Sequence, residues 1–217
     1  MKAVRILVAD DHEVVRRGVR ALLEAEAGWL VCDEAATGRE ALAKAQRLKP
    51  DIVILDIGMP ELNGLEATRQ IRKTVPQSEV LILTMHESEH VVREVLAAGA
   101  RGYVLKSDAG RDLVAAVNAL RQRKPFFTSS VGTMVLQGYL QNIRAVDPPH
   151  PSCRLTPRER EITQLLAEGK TNKQVAVALG ISAKTADTHR TNIMRKLHLH
   201  SASDLVRYAI RNKLIEP

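Results

Sequence analysis

Four short apolar runs in the first half of the chain end on residues that can do chemistry. VRILVA is followed by Asp10 and Asp11, IVIL by Asp56, VLIL by Thr84 and GYVL by Lys106. Each run has the length and β-branched or aliphatic composition of a strand. Strands that lie parallel in one sheet point their carboxyl ends at a common rim, which is where α/β sheets hold ligands. Three carboxylates gathered there repel one another, and some take up protons unless a cation offsets them. Mg²⁺ suits such a site, because it takes one or two carboxylates and fills the rest of its shell with water and phosphate oxygens. Asp10, Asp11 and Asp56 are the candidate side-chain ligands. The carbonyl just after Asp56, left open by the small Gly58, completes the set. A carboxylate beside such an ion is a nucleophile toward phosphorus. The Lys106 ammonium would neutralise phosphoryl oxygens and the Thr84 hydroxyl would donate to one of them. A single strand-end aspartate is more often a turn or cap residue, but all five residues at the ends of four strands is a much rarer accident.

These residues need a scaffold. The runs Val4–Ala9, Trp29–Ala35, Ile52–Leu55, Val80–Leu83 and Gly102–Leu105 alternate with helix-like segments near 13–26, 37–48, 63–74, 88–98 and 108–122. Five strands alternating with five helices predict a doubly wound, five-stranded parallel sheet. IVIL and VLIL are apolar at every position, as strands covered on both faces should be. Prolines 148, 149 and 151 in DPPHPSC then break the pattern. Ser129–Asn142 reads as a linker helix before that break, with Val131, Met134, Val135 and Leu136 offering apolar contact. Beyond it no strand-like alternation recurs, and helices are expected at about 157–168, 171–179, 182–197 and 201–213. The expected organisation is a first domain over 1–124, a partly helical linker over 125–153 and a smaller all-α domain over 154–217.

Charge divides the chain at the same place. The formal net charge is +7. Residues 1–124 carry 19 Lys and Arg against 18 Asp and Glu, whereas residues 154–217 carry 12 against 6. A basic second domain favours a polyanionic partner. No apolar run approaches the ~20 residues that span a bilayer, and MKAVRILVADD lacks the apolar core and cleavage site of a signal peptide. Cys32 and Cys153 are far apart in sequence and form no CxxC pair, which argues against a disulfide framework or structural zinc. The expected compartment is the reducing cytoplasm.

The motifs VADDH, LDIGMPELNG, LTMH and GYVLKS resemble the receiver domain of two-component response regulators over nearly all of 1–124. The flavodoxin-like fold follows from that resemblance. It also implies that Asp56 is the phosphoacceptor, and that Asp11, Asp56 and the Gly58 carbonyl hold Mg²⁺ with Asp10 assisting. Thr84 and Lys106 would then be the switch and charge partners of the phosphoryl group. Tyr103 falls at the family's aromatic switch position; an ordinary half-buried strand aromatic is the plainer reading. Met59–Pro60 and Gly64 resemble the loop after the acceptor. His86 reads as a solvent-facing loop residue.

In the second domain, Thr156 stands as a helix cap with Pro157 at the first helical position and Glu159 at capping-box spacing. Thr171 and Ser182 cap the next two helices, with Gly180 in the turn between them, which is a helix-turn-helix layout. On the third helix Ala186, His189, Ile193 and Leu197 follow an inward spacing. Lys184, Asp187, Thr188, Thr191 and Arg195 fall on the opposite side, a face able to enter a major groove. Lys170, Lys173, Arg190 and Lys196 suit phosphate contacts. The stretch LTPREREITQLLAEGKTNKQVAVALGISAKTADTHRTNIMRKL is similar to the LuxR-type helix-turn-helix. Ala186, Asp187 and Gln174 depart from that family's usual residues; at Asp187 the departure bears on the target sequence. The final helix would form a dimer interface through Leu205, Tyr208 and Ala209, or bury them within its own unit.

Together these features make the chain similar to a NarL/FixJ-type response regulator. A sensor histidine kinase would phosphorylate Asp56, and a homodimer would then bind paired half-sites on double-stranded DNA to regulate transcription. Its own chemistry would be limited to slow self-phosphorylation and self-dephosphorylation. Two other classes remain open. One is a Mg²⁺-dependent phosphohydrolase, against which Gly58 stands where a second catalytic acid would be needed. The other is a DNA-binding protein indifferent to phosphorylation, against which the intact acidic set argues.

Overall fold

The structure is a computed structural model that describes residues 3–85, 87–128, 131–133 and 155–215. His86, the Pro-rich break at 147–153, Cys153 and most of the expected linker helix lie outside the described residues. Only 131–133 of that helix is described; it is helical, and Val131 is buried against the first domain's core.

Strands β1 (Val4–Ala9), β2 (Trp29–Ala35), β3 (Ile52–Leu55), β4 (Glu79–Thr84), β5 (Gly102–Leu105) and β6 (Phe126–Phe127) form one sheet. Its order is β2-β1-β3-β4-β5-β6 and every pairing is parallel. The sixth strand is a correction to the five expected. It is two residues long and follows Pro125, too short for its own periodicity to register, and it exists because its backbone pairs with Gly102 and Tyr103 at the sheet edge.

Alternate residues of each strand feed opposite layers. Leu7, Val53, Leu55, Val80, Ile82 and Tyr103 pack into one core. Helices α2 (Gly38–Leu48), α3 (Gly64–Thr74) and α4 (Glu89–Ala98) cover that face. Ile6, Val8, Ile52, Ile54, Leu81 and Val104 pack into the other, under α1 (Glu13–Glu24) and α5 (Ala109–Arg121). Both faces are therefore dry, which accounts for the unbroken apolar runs IVIL and VLIL.

The chain order reverses between β1 and β3, so the rim there is the topological switch point. Ala9 pairs with Leu55 across it. Asp10 and Asp56 therefore leave the sheet side by side, each one residue beyond the pair. Thr84 pairs with Leu105, which puts Lys106 one residue past the neighbouring register.

Helix α3 begins close behind this rim. Asn63 caps it by accepting from the Glu66 amide at 2.9 Å. Gly64 follows, and its own amide donates to the Ile57 carbonyl at 2.9 Å. A Cβ on Gly64 would stand 1.9 Å from the Asp56 carbonyl oxygen, so the helix closes on the end of β3 only because this residue has no side chain.

Helices α6 (Pro157–Ala167), α7 (Asn172–Leu179), α8 (Ala183–Lys196) and α9 (Ala202–Arg211) form a second unit. Thr156 and Thr171 each make a complete capping box, and Ser182 and Ser201 cap the two helices that follow. Gly180 ends α7 in a left-handed conformation, φ +63°, which favours glycine. Ile162, Leu165, Val175, Ala186, Ile193, Leu205 and Ala209 fill the core of the unit. Burial thus accounts for Leu205 and Ala209, while Tyr208 and the inward-spaced His189 and Leu197 are half-buried. Among the described residues no helix is long and apolar enough to cross a membrane.

Gly64→Ala is expected to destabilise the protein by about 1–3 kcal/mol, as overpacking against fixed backbone does. Denaturant unfolding checks this, with Gly110→Ala, where a Cβ meets nothing within 4 Å, as the tolerated comparison.

Candidate functional site

At the switch point two carboxylates leave water almost entirely. Asp10 is 2% exposed and Asp56 is 4% exposed. Lys106 reaches between them, with Nζ 2.8 Å from Asp10 Oδ2 and 2.9 Å from Asp56 Oδ2. The second oxygens are held by backbone: the Ile57 amide donates to Asp56 Oδ1 at 2.8 Å, and the His12 amide to Asp10 Oδ1 at 2.9 Å. Both side chains are therefore fixed in orientation before any ligand arrives. Asp11 sits outside this pair and is exposed.

One ammonium does not balance the set. Burial pushes the Asp56 carboxyl above the usual carboxylate range; Lys106 opposes that shift and the neighbouring Asp10 adds to it. Burial works to lower the Lys106 ammonium, but the two carboxylates outweigh it and hold Lys106 above the usual lysine value. The ionised form of Asp56 is thus the strained one, and further positive charge at the rim would relieve it.

The donor set fits a hard divalent ion. Ligand atoms of Asp10, Asp11, His12 and Asp56 all lie within 4.8 Å of one another, and carboxylate oxygens beside a reachable backbone carbonyl are what Mg²⁺ takes. His12 had no role in the sequence reading. Its Nδ1 lies 2.8 Å from Asp11 Oδ1, so it ties down the exposed carboxylate of the group. Its place directly after Asp10–Asp11 was the available signal.

The other expected residues are placed as follows. Thr84 ends β4 and is 1% exposed. Tyr103 is wholly buried at 0% exposure, not half-buried, so its ring already lies inside the core. Burial, with Glu87 nearby, pushes its phenol up to about 12. Gly58 is half-buried, and with Asp11, Met59 and Pro60 it lines a cavity of about 310 Å³.

The far wall of that cavity belongs to the helical unit: Gln164, Ala167, Glu168 and Ile215 complete the lining. These residues escaped the sequence reading. Gln164 Oε1 accepts from the Asn63 amide at 2.8 Å, and its Nε2 donates to the Met59 carbonyl at 3.0 Å. Glu168 Oε1 accepts from the Glu61 amide at 3.0 Å. Burial raises the Glu168 carboxyl above its usual range. One turn earlier on α6, Arg160 pairs with Glu66 at 3.3 Å, and Glu161 accepts from Gln70 at 2.5 Å. The available signal was a polar row at 160, 161, 164 and 168 on a helix whose apolar stripe lies elsewhere.

On the basic unit, Lys170, Lys173, Lys184, Asp187, Thr188, Arg190, Thr191 and Arg195 are exposed. Two expected contacts have other engagements. Asp187 accepts from Asn172 at 2.7 Å, and Lys196 lies 2.8 Å from Glu159. Lys170 and Lys173 line a second cavity together with Arg39 and Glu61 of the sheet domain.

A parallel sheet with an acidic switch point, joined to a capped helix-turn-helix, defines a class of signalling protein. Residues 6–118 match the family described as the response regulator receiver domain. Residues 154–209 match the family described as bacterial regulatory proteins, luxR family. The chain is 37% identical to the oxygen regulatory protein NreC of Staphylococcus carnosus, over 98% of this chain and all of that one. Among solved structures it is similar to the RcsB response regulator of Salmonella typhimurium, with a TM-score of 0.63, 28% identity and coverage of 98% and 99% of the two chains. It is also similar to RcsB from Salmonella enterica serovar Typhimurium bound to a promoter in the presence of phosphomimetic BeF₃⁻, with a TM-score of 0.59, 27% identity and 95% and 98% coverage. The chain belongs to the response regulators of two-component systems, those that join a receiver domain to a LuxR-type helix-turn-helix domain.

Asp56→Asn removes the strained charge while keeping the side-chain shape, so in metal-free buffer the melting temperature is expected to rise, by roughly 2–4 °C per kcal/mol of strain removed. Calorimetric unfolding with and without EDTA checks this; a fall in the metal-free melting temperature would contradict the charge argument.

Proposed function

We propose that the chain is a phosphorylation-controlled transcription regulator in which Asp56 accepts a phosphoryl group and the helix-turn-helix unit reads DNA. The observation that carries this reading is the buried Lys106 bridge between Asp10 and Asp56 at 2.8 and 2.9 Å, at the end of the switch-point strands. In this reading the receiver domain spans 1–124, the linker 125–153 and the DNA-binding domain 154–217.

Asp10, Asp11, Asp56 and the Gly58 carbonyl would hold Mg²⁺, which when bound supplies positive charge to oppose the phosphoryl oxygens. A carboxylate oxygen of Asp56 forms the new bond to phosphorus. The bond from phosphorus to the donor histidine nitrogen breaks, and the departing imidazole keeps the electron pair and takes up a proton. Lys106, already held above its usual pKa, stays charged and neutralises the acyl phosphate. Thr84, on the adjacent strand, donates to a phosphoryl oxygen. The Tyr103 ring is buried in the core beside Ile82, on the strand that Thr84 ends. The donor is a sensor histidine kinase, and the compartment is the cytoplasm, where the chromosome is reached directly.

DNA recognition is assigned to α8. Lys184, Asp187, Thr188, Thr191 and Arg195 face the base edges, and Lys170, Lys173, Arg190 and Lys196 meet phosphates. Relatives solved with DNA support DNA binding by the chain, as does the basic balance of 154–217. Two-fold copies of the chain would bind paired half-sites.

Two measurements test the reading. Incubation with acetyl phosphate and Mg²⁺ is expected to give acid-labile phosphorylation that Asp56→Ala abolishes; stoichiometric label on that variant would displace Asp56 from its role. Binding of the phosphorylated protein to its promoter DNA is expected to weaken steeply with salt. Lys173→Ala should lower affinity and reduce the slope of log K against log salt by about one.

A further inference from the structure

Asp187 is the only acidic residue of α8. Its Oδ1 accepts from Asn172 Nδ2 at 2.7 Å, and among the described residues it makes no other hydrogen bond or ion pair. Neither Lys184, three residues before it, nor Arg190, three residues after it, neutralises it. Asn172 is the first residue of α7 and follows the Thr171 capping box, in which the Thr171 amide donates to Gln174 Oε1 at 2.8 Å. Its backbone is therefore fixed independently of α8. Asn172 is half-buried and Asp187 is exposed. Asn172 Oδ1 is buried and takes no hydrogen bond among the described residues. Turning the amide over would set that oxygen against Asp187 Oδ1, acceptor to acceptor. The contact between the two helices thus prevails over the cost of an orphaned carbonyl, which buried groups rarely bear.

We propose that Asn172, outside the third helix, is a positioning residue for base readout: it fixes the Asp187 carboxylate, leaves Oδ2 as the acceptor offered to the groove, and so selects a cytosine at the base that Asp187 meets. This inference rests on the reading of α8 as the helix that reads DNA. A carboxylate only accepts hydrogen bonds. In the major groove guanine presents O6 and N7, both acceptors, and thymine presents O4 beside a methyl group. Adenine presents its N6 amino group with the N7 acceptor next to it. Cytosine presents its N4 amino group with no acceptor beside it on the same base. A neutral amide is the partner that preserves this preference. An ion pair with Lys or Arg would occupy the carboxylate and cancel its sign, whereas one amide hydrogen bond leaves the second oxygen and the charge in place. DNA phosphates repel a carboxylate, and an unheld side chain at an exposed position would turn away from them. Asn172 removes that freedom, so less side-chain entropy remains to be lost on binding.

The test is selection of preferred duplexes from a randomised pool by the full chain incubated with acetyl phosphate and Mg²⁺, followed by competition binding at each base pair of the selected half-site. The unsubstituted chain is expected to enrich a cytosine at one pair where Asp187→Ala relaxes the preference about tenfold, within the range for one base contact. Asn172→Ala is expected to relax the same pair about threefold, as members of one hydrogen-bonded pair do, and the double variant no further than Asp187→Ala alone. Asn172→Asp separates positioning from folding. The first turn of α7 has no acidic residue, and one there favours the helix, yet it would set carboxylate against carboxylate. Preference at the cytosine is expected to fall at least as far as in Asn172→Ala. The proposal is overturned if Asp187→Ala relaxes no pair or only a pair without cytosine. Full preference in both Asn172→Ala and Asn172→Asp overturns it too, as does an Asn172→Ala effect that persists undiminished without Asp187. Circular dichroism confirms that each variant is folded, and Asn172→Asp carries the test where Asn172→Ala fails to fold. If the unsubstituted chain enriches no sequence, the reading of α8 as DNA-binding falls, and this inference with it.

Discussion

A single ammonium held between two buried carboxylates organises the receiver domain. Removing Lys106 from water costs free energy, as does burying Asp10 and Asp56, and such a cluster stands only when each oxygen has a fixed partner. Here Lys106 forms an ion pair with each carboxylate and the Ile57 and His12 amides hold the other oxygens, while Asp10 Oδ2 takes no directed hydrogen bond. The cluster is nevertheless short of positive charge, as the raised Asp56 carboxyl shows. A site left short in this way is poised for a cation and then for a group that carries negative charge with it.

Sheet geometry is what allows this cluster. The pairing of Ala9 with Leu55 aligns two strand ends to within one residue, and the reversal of chain order leaves the rim above them uncovered by a crossover helix. Gly64 then lets α3 close against the Asp56 carbonyl. The rigid side of the site is therefore backbone in strands and a helix start. Its adjustable side is the loop 58–63, which has no ladder of its own and draws its hydrogen bonds in part from another domain. The two sides meet at a few peptide groups of this loop, where side chains of the helical unit supply the hydrogen bonds.

The organisation of the chain was open to reading from local patterns. Apolar runs, capping residues and Gly or Pro punctuation located all nine α-helices described in full, to within two residues at each end, but not the 3-10 turn at Lys106–Asp108. They also located five of the six strands. Val80–Leu83 extends by one residue at each end in the fold, because Glu79 and Thr84 join the ladder through neighbours that no local pattern names. The strand at Phe126–Phe127 was missed for the same reason: two residues have no period, and only the free edge of β5 makes them a strand.

At the site the division is similar. Asp10, Asp11, Asp56, Thr84 and Lys106 announce themselves because each stands at the end of a strand signal, and the parallel order turns those ends into one rim. The amphipathic third helix of the basic unit is likewise a property of its own spacing. Tyr103 is fully enclosed, which the alternative reading of a half-buried strand aromatic did not foresee, since its exposure depends on α4 packing over it. Gln164, Glu168 and Arg160 lie about a hundred residues from the loop and helix they touch. Local sequence sets periodicity, caps and the chemistry a side chain can offer, because those depend on neighbours along the chain. Which buried polar groups face one another across two domains is decided by docking, where hydrogen bonds lost to water must be replaced by whatever the opposite surface presents.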